Sequence, residues 1–86
     1  MDVSIDLKFQ AKMLEKQAAK IESQEAANKK KVKQYLDKND VESAKMFAEN
    51  AIRQRKEAIN TRRFGIKMGA LSSKLESAAR TQMVSE

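Results

Sequence analysis

The chain has 86 residues, of which 35% are charged and 41% are hydrophobic, and its formal net charge is +6. It contains no Cys and no His, which excludes a disulfide framework, thiolate chemistry and a histidine general base. Pro is absent and Gly occurs only twice, so few residues can break a helix. These properties predict one small all-α domain that is not an enzyme.

The first predicted element is a helix over residues of about 4–36, identified by an apolar seam. At 100° per residue, one narrow face of this helix contains Val3, Leu7, Ala11, Leu14, Ala18, Ile21, Val32 and Leu36. Glu25 and Asn28 interrupt the seam, but Val32 and Leu36 resume it in phase. A single helix is therefore favoured over a break near Asn28.

A polar cluster at residues 37–40 predicts a tight turn, in which Asn39 or Asp40 caps the next helix. We expect that second helix over residues of about 41–84. It carries a small-residue row with one member at every seventh position: Ala44, Ala51, Ala58, Gly65, Ser72 and Ala79. An isoleucine row of the same spacing runs beside it: Ile52, Ile59 and Ile66. The sevenfold period predicts that both rows pack on the first helix in a left-handed pair.

The short turn folds the second helix back along the first. The predicted fold class is therefore all-α, a long antiparallel two-helix hairpin of the coiled-coil type. A chain that opens into a single long helix is the competing arrangement. In the hairpin, the expected register gives two flanking ion pairs, Glu15 with Arg62 and Glu22 with Arg55. Unpaired surface charges are the alternative interpretation of these four residues.

A lysine ladder lies on the face of the first helix opposite the seam. Its members repeat every four residues: Lys8, Lys12, Lys16 and Lys20. Ile5, Phe9 and Met13 lie on the same face. Cations that meet anionic head groups, beside apolar side chains that enter the lipid boundary, are typical of a membrane-binding surface. The lysine ladder and Phe9 are therefore candidate membrane contacts, with an ordinary solvated face as the alternative.

A second apolar surface lies on the second helix. This apolar stripe follows the spacing of one helix face and consists of Phe64, Met68, Leu71 and Leu75. The expected direction of the stripe is away from the small-residue row, so the hairpin cannot cover it. We predict that the stripe contacts another subunit or further helices of a longer protein.

The sequence offers no site for small-molecule chemistry. It has no Gly-rich phosphate loop and no cluster of metal ligands, and two helices do not readily enclose a pocket. We therefore expect no cofactor, no metal and no small-molecule substrate. The positive charge indicates an anionic partner. Besides a membrane, nucleic acid is an alternative because phosphate contacts need only cations, and a simple coiled-coil oligomerisation module is another.

Two stretches resemble the ESCRT-III charged multivesicular body proteins. Residues 7–16, LKFQAKMLEK, are similar to the start of these proteins. Residues 44–53, AKMFAENAIR, most resemble the type-one, Did2-like subgroup. The run YAENAIRK is typical of that subgroup, and here Phe47 takes the place of Tyr and Gln54 that of Lys. The resemblance covers nearly the whole chain.

The resemblance implies an N-terminal helical hairpin that forms the first half of a longer subunit. Such subunits polymerise with themselves and with other ESCRT-III subunits on membranes, which they remodel or cut in endosomal sorting and cell division. The resemblance places the acidic C-terminal half, which recruits an AAA ATPase, outside this chain. Because the sequence shows no apolar span and no secretion signal, we expect a cytoplasmic protein that is peripheral on endosomal membranes.

Overall fold

Two long helices make up the structure. The computed structural model describes residues 2–85, with helix α1 over Val3–Asp37 and helix α2 over Val41–Ser85. The helices pack against each other in antiparallel directions, and the principal extents of the rod are 72 × 15 × 14 Å. The predicted all-α two-helix hairpin is therefore confirmed.

Each helix begins at an aspartate that caps it. Asp2 accepts hydrogen bonds from the backbone N–H (3.0 Å) and the hydroxyl (2.7 Å) of Ser4. Asp40 accepts the corresponding bonds from Ser43, at 3.1 Å and 2.7 Å. The backbone bonds satisfy donors that have no partner within the first helical turn. The serine hydroxyl, and then the serine backbone N–H, lower the pKa of each capping carboxyl group below its ordinary value of 3.8.

The turn between the helices depends on Asn39, which adopts a φ of 61°. Asn tolerates this left-handed conformation better than most residues other than Gly. As a result, the Asn39 N–H donates to the Leu36 carbonyl (3.0 Å) and the Asp40 N–H donates to the Tyr35 carbonyl (2.8 Å). These two bonds form a Schellman motif. Of the two predicted capping residues, Asn39 therefore ends α1 and Asp40 begins α2.

The buried side of α1 follows a heptad repeat. Ser4 is buried, and the less exposed positions then recur at alternating steps of three and four residues as far as Tyr35. The predicted end members of the seam are wrong, because Val3 is 63% exposed and Leu36 is 51% exposed. A heptad repeat departs from a straight α-helix by about 20° in every seven residues. This drift moves the seam from Val3 to Ser4 at one end and from Leu36 to Tyr35 at the other.

The small-residue row of α2 lies in the interface. Its buried members are Ala44, Ala51, Ala58, Gly65 and Ser72. Ala79, the last residue of the row, is exposed. A second, half-buried row completes the α2 seam: Phe47, Gln54, Thr61 and Met68. The hydroxyl of Ser72 donates a 2.7 Å hydrogen bond to the Ser4 carbonyl, which ties the start of α1 to α2.

The isoleucine row does not pack on α1. Ile52, Ile59 and Ile66 are 58%, 43% and 67% exposed, so the prediction that this row faces the first helix is wrong. Each isoleucine comes directly after a residue of the small-residue row, and consecutive helical residues point about 100° apart. The row three residues farther along fills the interface in its place.

The interface is narrow at Gly65 and polar near its middle. A Cβ atom on Gly65 would lie 3.3 Å from Leu14 Cβ and 3.4 Å from the Ala11 carbonyl oxygen. Farther toward the turn, the Asn28 side-chain amide donates to Gln54 Oε1 at 2.6 Å. Because this polar pair is hydrogen-bonded within the seam, it costs little and favours one register of the two helices.

Candidate interaction surfaces

The candidate functional sites of this structure are exposed surfaces and not a pocket. Within residues 2–85, no group of three or more Asp or Glu side chains is placed to hold a metal ion. No helix in this described part is long and apolar enough to cross a membrane. Two open grooves run along the helix pair. The lysine ladder, the apolar stripe and the isoleucine row are therefore the candidates.

The lysine ladder is exposed along its whole length. Successive members are four residues apart, so each one is rotated by about 40° from the one before. Lys8 lies at the edge nearest α2, where its Nζ is 3.7 Å from Glu76 Oε1. In the described part of the chain, no ion pair involves Lys12, Lys16 or Lys20. These three lysines are the members best placed to meet an external anion.

Apolar side chains project from the same surface. Phe9 is 62% exposed, and Ile5 and Met13 are also largely exposed. None of them lies in the α1 seam, because the heptad repeat places Ser4, Leu7, Ala11 and Leu14 there. An exposed aromatic ring between cations has the composition of a surface that binds at a lipid–water boundary.

The apolar stripe lies beside the α2 seam and not opposite it. Met68 is half-buried and Leu75 is 38% exposed, whereas Phe64 and Leu71 are 54% and 48% exposed. Met68 therefore belongs to the helix interface. The stripe residues that remain most available to another partner are Phe64 and Leu71.

The isoleucine row forms a third surface, which sequence reasoning assigned to the interior. Beside Ile66, a groove has a floor of Ala11, Gly65 and Gly69, with Lys8 and Lys12 at its rim. A second groove lies beside Ile52. Assigning heptad positions to α2 from the small-residue row would have placed these isoleucines outside. The sequence therefore contained the signal, although it was interpreted incorrectly.

The flanking ion pairs differ from those predicted. Arg62 contacts Glu22, with 2.6 Å between Nη2 and Oε1, whereas Glu15 and Arg62 were the expected pair. No ion pair of the described residues includes Glu15 or Arg55. Gly65 lies beside Leu14, which is close to the predicted register, and the long arginine side chain extends along the flank to reach Glu22. Because both partners are substantially exposed, this pair contributes little to stability.

Comparison with known proteins identifies several similar sequences. No protein-family model matches the chain. It is 39% identical to an ESCRT-related protein CHMP1 of Oryza sativa subsp. japonica, over 92% of this chain and 38% of the relative. It is 36% identical to the ESCRT-related protein CHMP1B of Arabidopsis thaliana, over 100% of this chain and 42% of the relative.

A third similar sequence comes from another organism. The chain is 37% identical to charged multivesicular body protein 1 of Dictyostelium discoideum, over 91% of this chain and 41% of the relative. The chain therefore spans about two fifths of the length of the curated relatives it matches. These matches extend over the two helices and the turn described above.

Proposed function

Because the chain belongs to the charged multivesicular body protein 1 family of ESCRT-III proteins, we propose that it is the helical-hairpin part of a membrane-remodelling scaffold subunit. Such a subunit polymerises on anionic membranes in endosomal sorting and membrane scission. Its partners are further copies of itself, other ESCRT-III subunits and the lipid surface. The proposed location is the cytoplasmic side of endosomal membranes, to which the subunit binds peripherally.

The observation that carries the membrane proposal is the outer face of α1. Lys12, Lys16 and Lys20 are exposed and make no ion pair within the described residues. Phe9 exposes 62% of its surface beside them. Each cation near an anionic membrane contributes about 1 kcal/mol of attraction, and an inserted ring adds apolar burial. The helix holds all of these groups on one rigid scaffold.

The proposed subunit contact is the exposed part of the apolar stripe. Phe64 and Leu71 lie seven residues apart on α2 and remain about half exposed. Burying them against a neighbouring copy or another subunit removes apolar surface from water. We assign no AAA ATPase contact to these 86 residues, since the family resemblance places that contact in an acidic C-terminal half.

Liposome sedimentation tests the membrane proposal. The variant Lys12→Glu, Lys16→Glu, Lys20→Glu is expected to lose most binding to vesicles that contain phosphatidylserine. The matched control Lys30→Glu, Lys33→Glu, Lys45→Glu makes the same charge change at other exposed positions and is expected to retain more binding. Equal losses in the two variants would mean that net charge alone drives binding and that the lysine ladder is not a site.

A second comparison separates a membrane from nucleic acid. Phe9→Ser is expected to weaken vesicle binding several-fold, because the ring enters the lipid boundary. Ile52→Ser, which changes an exposed apolar residue on α2, serves as the control. A fluorescence-polarisation titration with single-stranded RNA at the same salt concentration completes the test. Tighter binding to RNA than to vesicles, without any effect of Phe9→Ser, would favour the nucleic-acid alternative.

Analytical ultracentrifugation tests the subunit contact. Phe64→Ser with Leu71→Ser is expected to reduce self-association while leaving the helical content unchanged, because both side chains are already exposed. Ile59→Ser with Ile66→Ser is the control of similar size on the other exposed row. A discrete stable oligomer that withstands the Phe64 and Leu71 changes and lacks lipid affinity would favour a simple coiled-coil module.

A further inference from the structure

The two seams of the hairpin are out of phase along the chain. The α1 row that begins at Ser4 returns every seven residues and ends at Val32. The small-residue row of α2 begins at Ala44. Val32 and Ala44 are 12 residues apart, which is not a multiple of seven. The heptad repeat of α1 therefore does not continue into that of α2.

This offset determines the directions of the two seams when the chain opens into one straight helix. In one continuous α-helix, 12 residues turn through about 1,200°, which leaves about 120° beyond whole turns. The α1 seam and the α2 seam would then face directions about 120° apart. A second copy lying antiparallel beside this straight helix covers only one of the two seams. The uncovered seam needs a third copy. Helices are then exchanged from one copy to the next in a head-to-tail series, which does not close into a dimer.

The turn opposes this opening. Asn39 has a left-handed φ of 61°, which a continuous right-handed helix does not allow. The Asp40 side chain bonds to Ser43 as a cap, and a residue within a helix does not make that contact. The backbone bonds from Asn39 to Leu36 and from Asp40 to Tyr35 are also lost when the turn becomes helical.

We propose that the turn at residues 38–40 keeps this chain a closed hairpin. When these residues become helical, copies of the chain exchange helices in an open-ended series and do not form a closed dimer. The partner is a further copy of the same chain, because α2 of one copy restores the contacts that α1 of another has lost. Two such contacts are the hydrogen bonds of Ser72 with Ser4 and of Asn28 with Gln54. The proposal does not depend on membrane binding.

An engineered disulfide reports which chain supplies each helix. The ideal Cβ position of Gly69 is 3.9 Å from Ala11 Cβ, within the roughly 3.5–4.5 Å that a disulfide spans. The chain has no Cys of its own, so Ala11→Cys with Gly69→Cys introduces one defined pair. The bond forms within one chain in a closed hairpin and between chains after exchange.

The turn is then changed in this cysteine background. Lys38→Ala, Asn39→Ala, Asp40→Ala favours a helical turn. A matched control, Lys33→Ala, Gln34→Ala, Glu42→Ala, removes one cation, one amide and one carboxylate from exposed helical positions. On non-reducing gels, we expect the turn variant to give a concentration-dependent ladder that extends beyond dimers. The unmodified turn and the control are expected to give monomers with an internal disulfide.

A phase-restoring variant completes the test. Inserting two alanines after residue 40 of the turn variant makes the spacing between the two rows a multiple of seven, so both seams face one partner. We expect its ladder to collapse to a dimer by native mass spectrometry. A turn variant that remains an internally cross-linked monomer, or that already forms only dimers, would overturn the proposal. A ladder that persists in the phase-restoring variant would also overturn it. If intact hairpins associate through the apolar stripe, the disulfide stays within one chain. The non-reducing gel therefore distinguishes this association from helix exchange.

Discussion

The ring of Tyr35 in α1 stacks on the ring of Phe47 in α2, with centroids 5.2 Å apart and planes 12° from parallel. The Nζ atom of Lys31 lies 5.0 Å from the centre of the Phe47 ring, and that of Lys38 lies 5.5 Å from the centre of the Tyr35 ring. Aromatic stacking and cation–π attraction therefore join the helices beside the turn.

We predict that Phe47→Ala lowers the free energy of unfolding by about 1–3 kcal/mol, because it removes a half-buried ring and its stack on Tyr35. Urea denaturation followed by circular dichroism measures this change. Phe9→Ala is the control, since that ring is exposed and its loss should change the free energy by less than about 0.5 kcal/mol. Similar losses in both variants would contradict a specific role for the stack.

Acid is expected to weaken the hairpin through its two caps. The bonds from Ser4 and Ser43 lower the pKa of Asp2 and Asp40 in the folded chain. Their stabilisation is therefore present above the ordinary pKa of 3.8 and is lost as the pH falls through the lowered values. Thermal denaturation across this range should show the melting temperature of Asp40→Asn falling less steeply than that of the parent chain, because Asn caps without titrating. Parallel curves would contradict this prediction.

The two glycines of α2 should respond differently to alanine. Gly69→Ala is expected to raise the free energy of unfolding by about 0.5–1 kcal/mol, because Ala favours the helix and the added Cβ meets only an ordinary contact at 3.9 Å. At Gly65, the added Cβ would be 3.3 Å from Leu14 Cβ, so Gly65→Ala should show a smaller gain or a loss. Urea denaturation compares them, and a larger gain at Gly65 would contradict the packing argument.

The polar pair in the seam should behave as a unit. Asn28→Ala leaves Gln54 without its partner and is expected to cost about 1–3 kcal/mol of unfolding free energy. Gln54→Ala should have a similar effect, and the double variant should cost less than the two single changes together. A double-mutant cycle by chemical denaturation gives the coupling, and strictly additive changes would mean that the 2.6 Å hydrogen bond does not couple the helices.

Much of the fold followed from local sequence signals. The polar residues 37–40 marked the turn, and the small-residue row marked the interface side of α2. The site was less predictable. The lysine ladder is exposed as its spacing indicated, but Met68 turned out to lie in the helix interface. The partner of Arg62 also depended on the direction that its long side chain takes along the flank.

The sequence by itself determined that two helices form, where they end and which small residues allow close packing, because these properties depend on neighbouring residues and on one period. Only the tertiary structure decided that Ser4 and Tyr35, and not Val3 and Leu36, end the α1 seam. The physical reason is that supercoiling changes the helical period at the contact. A small change in period reassigns residues at the ends of a long helix while leaving its centre unchanged.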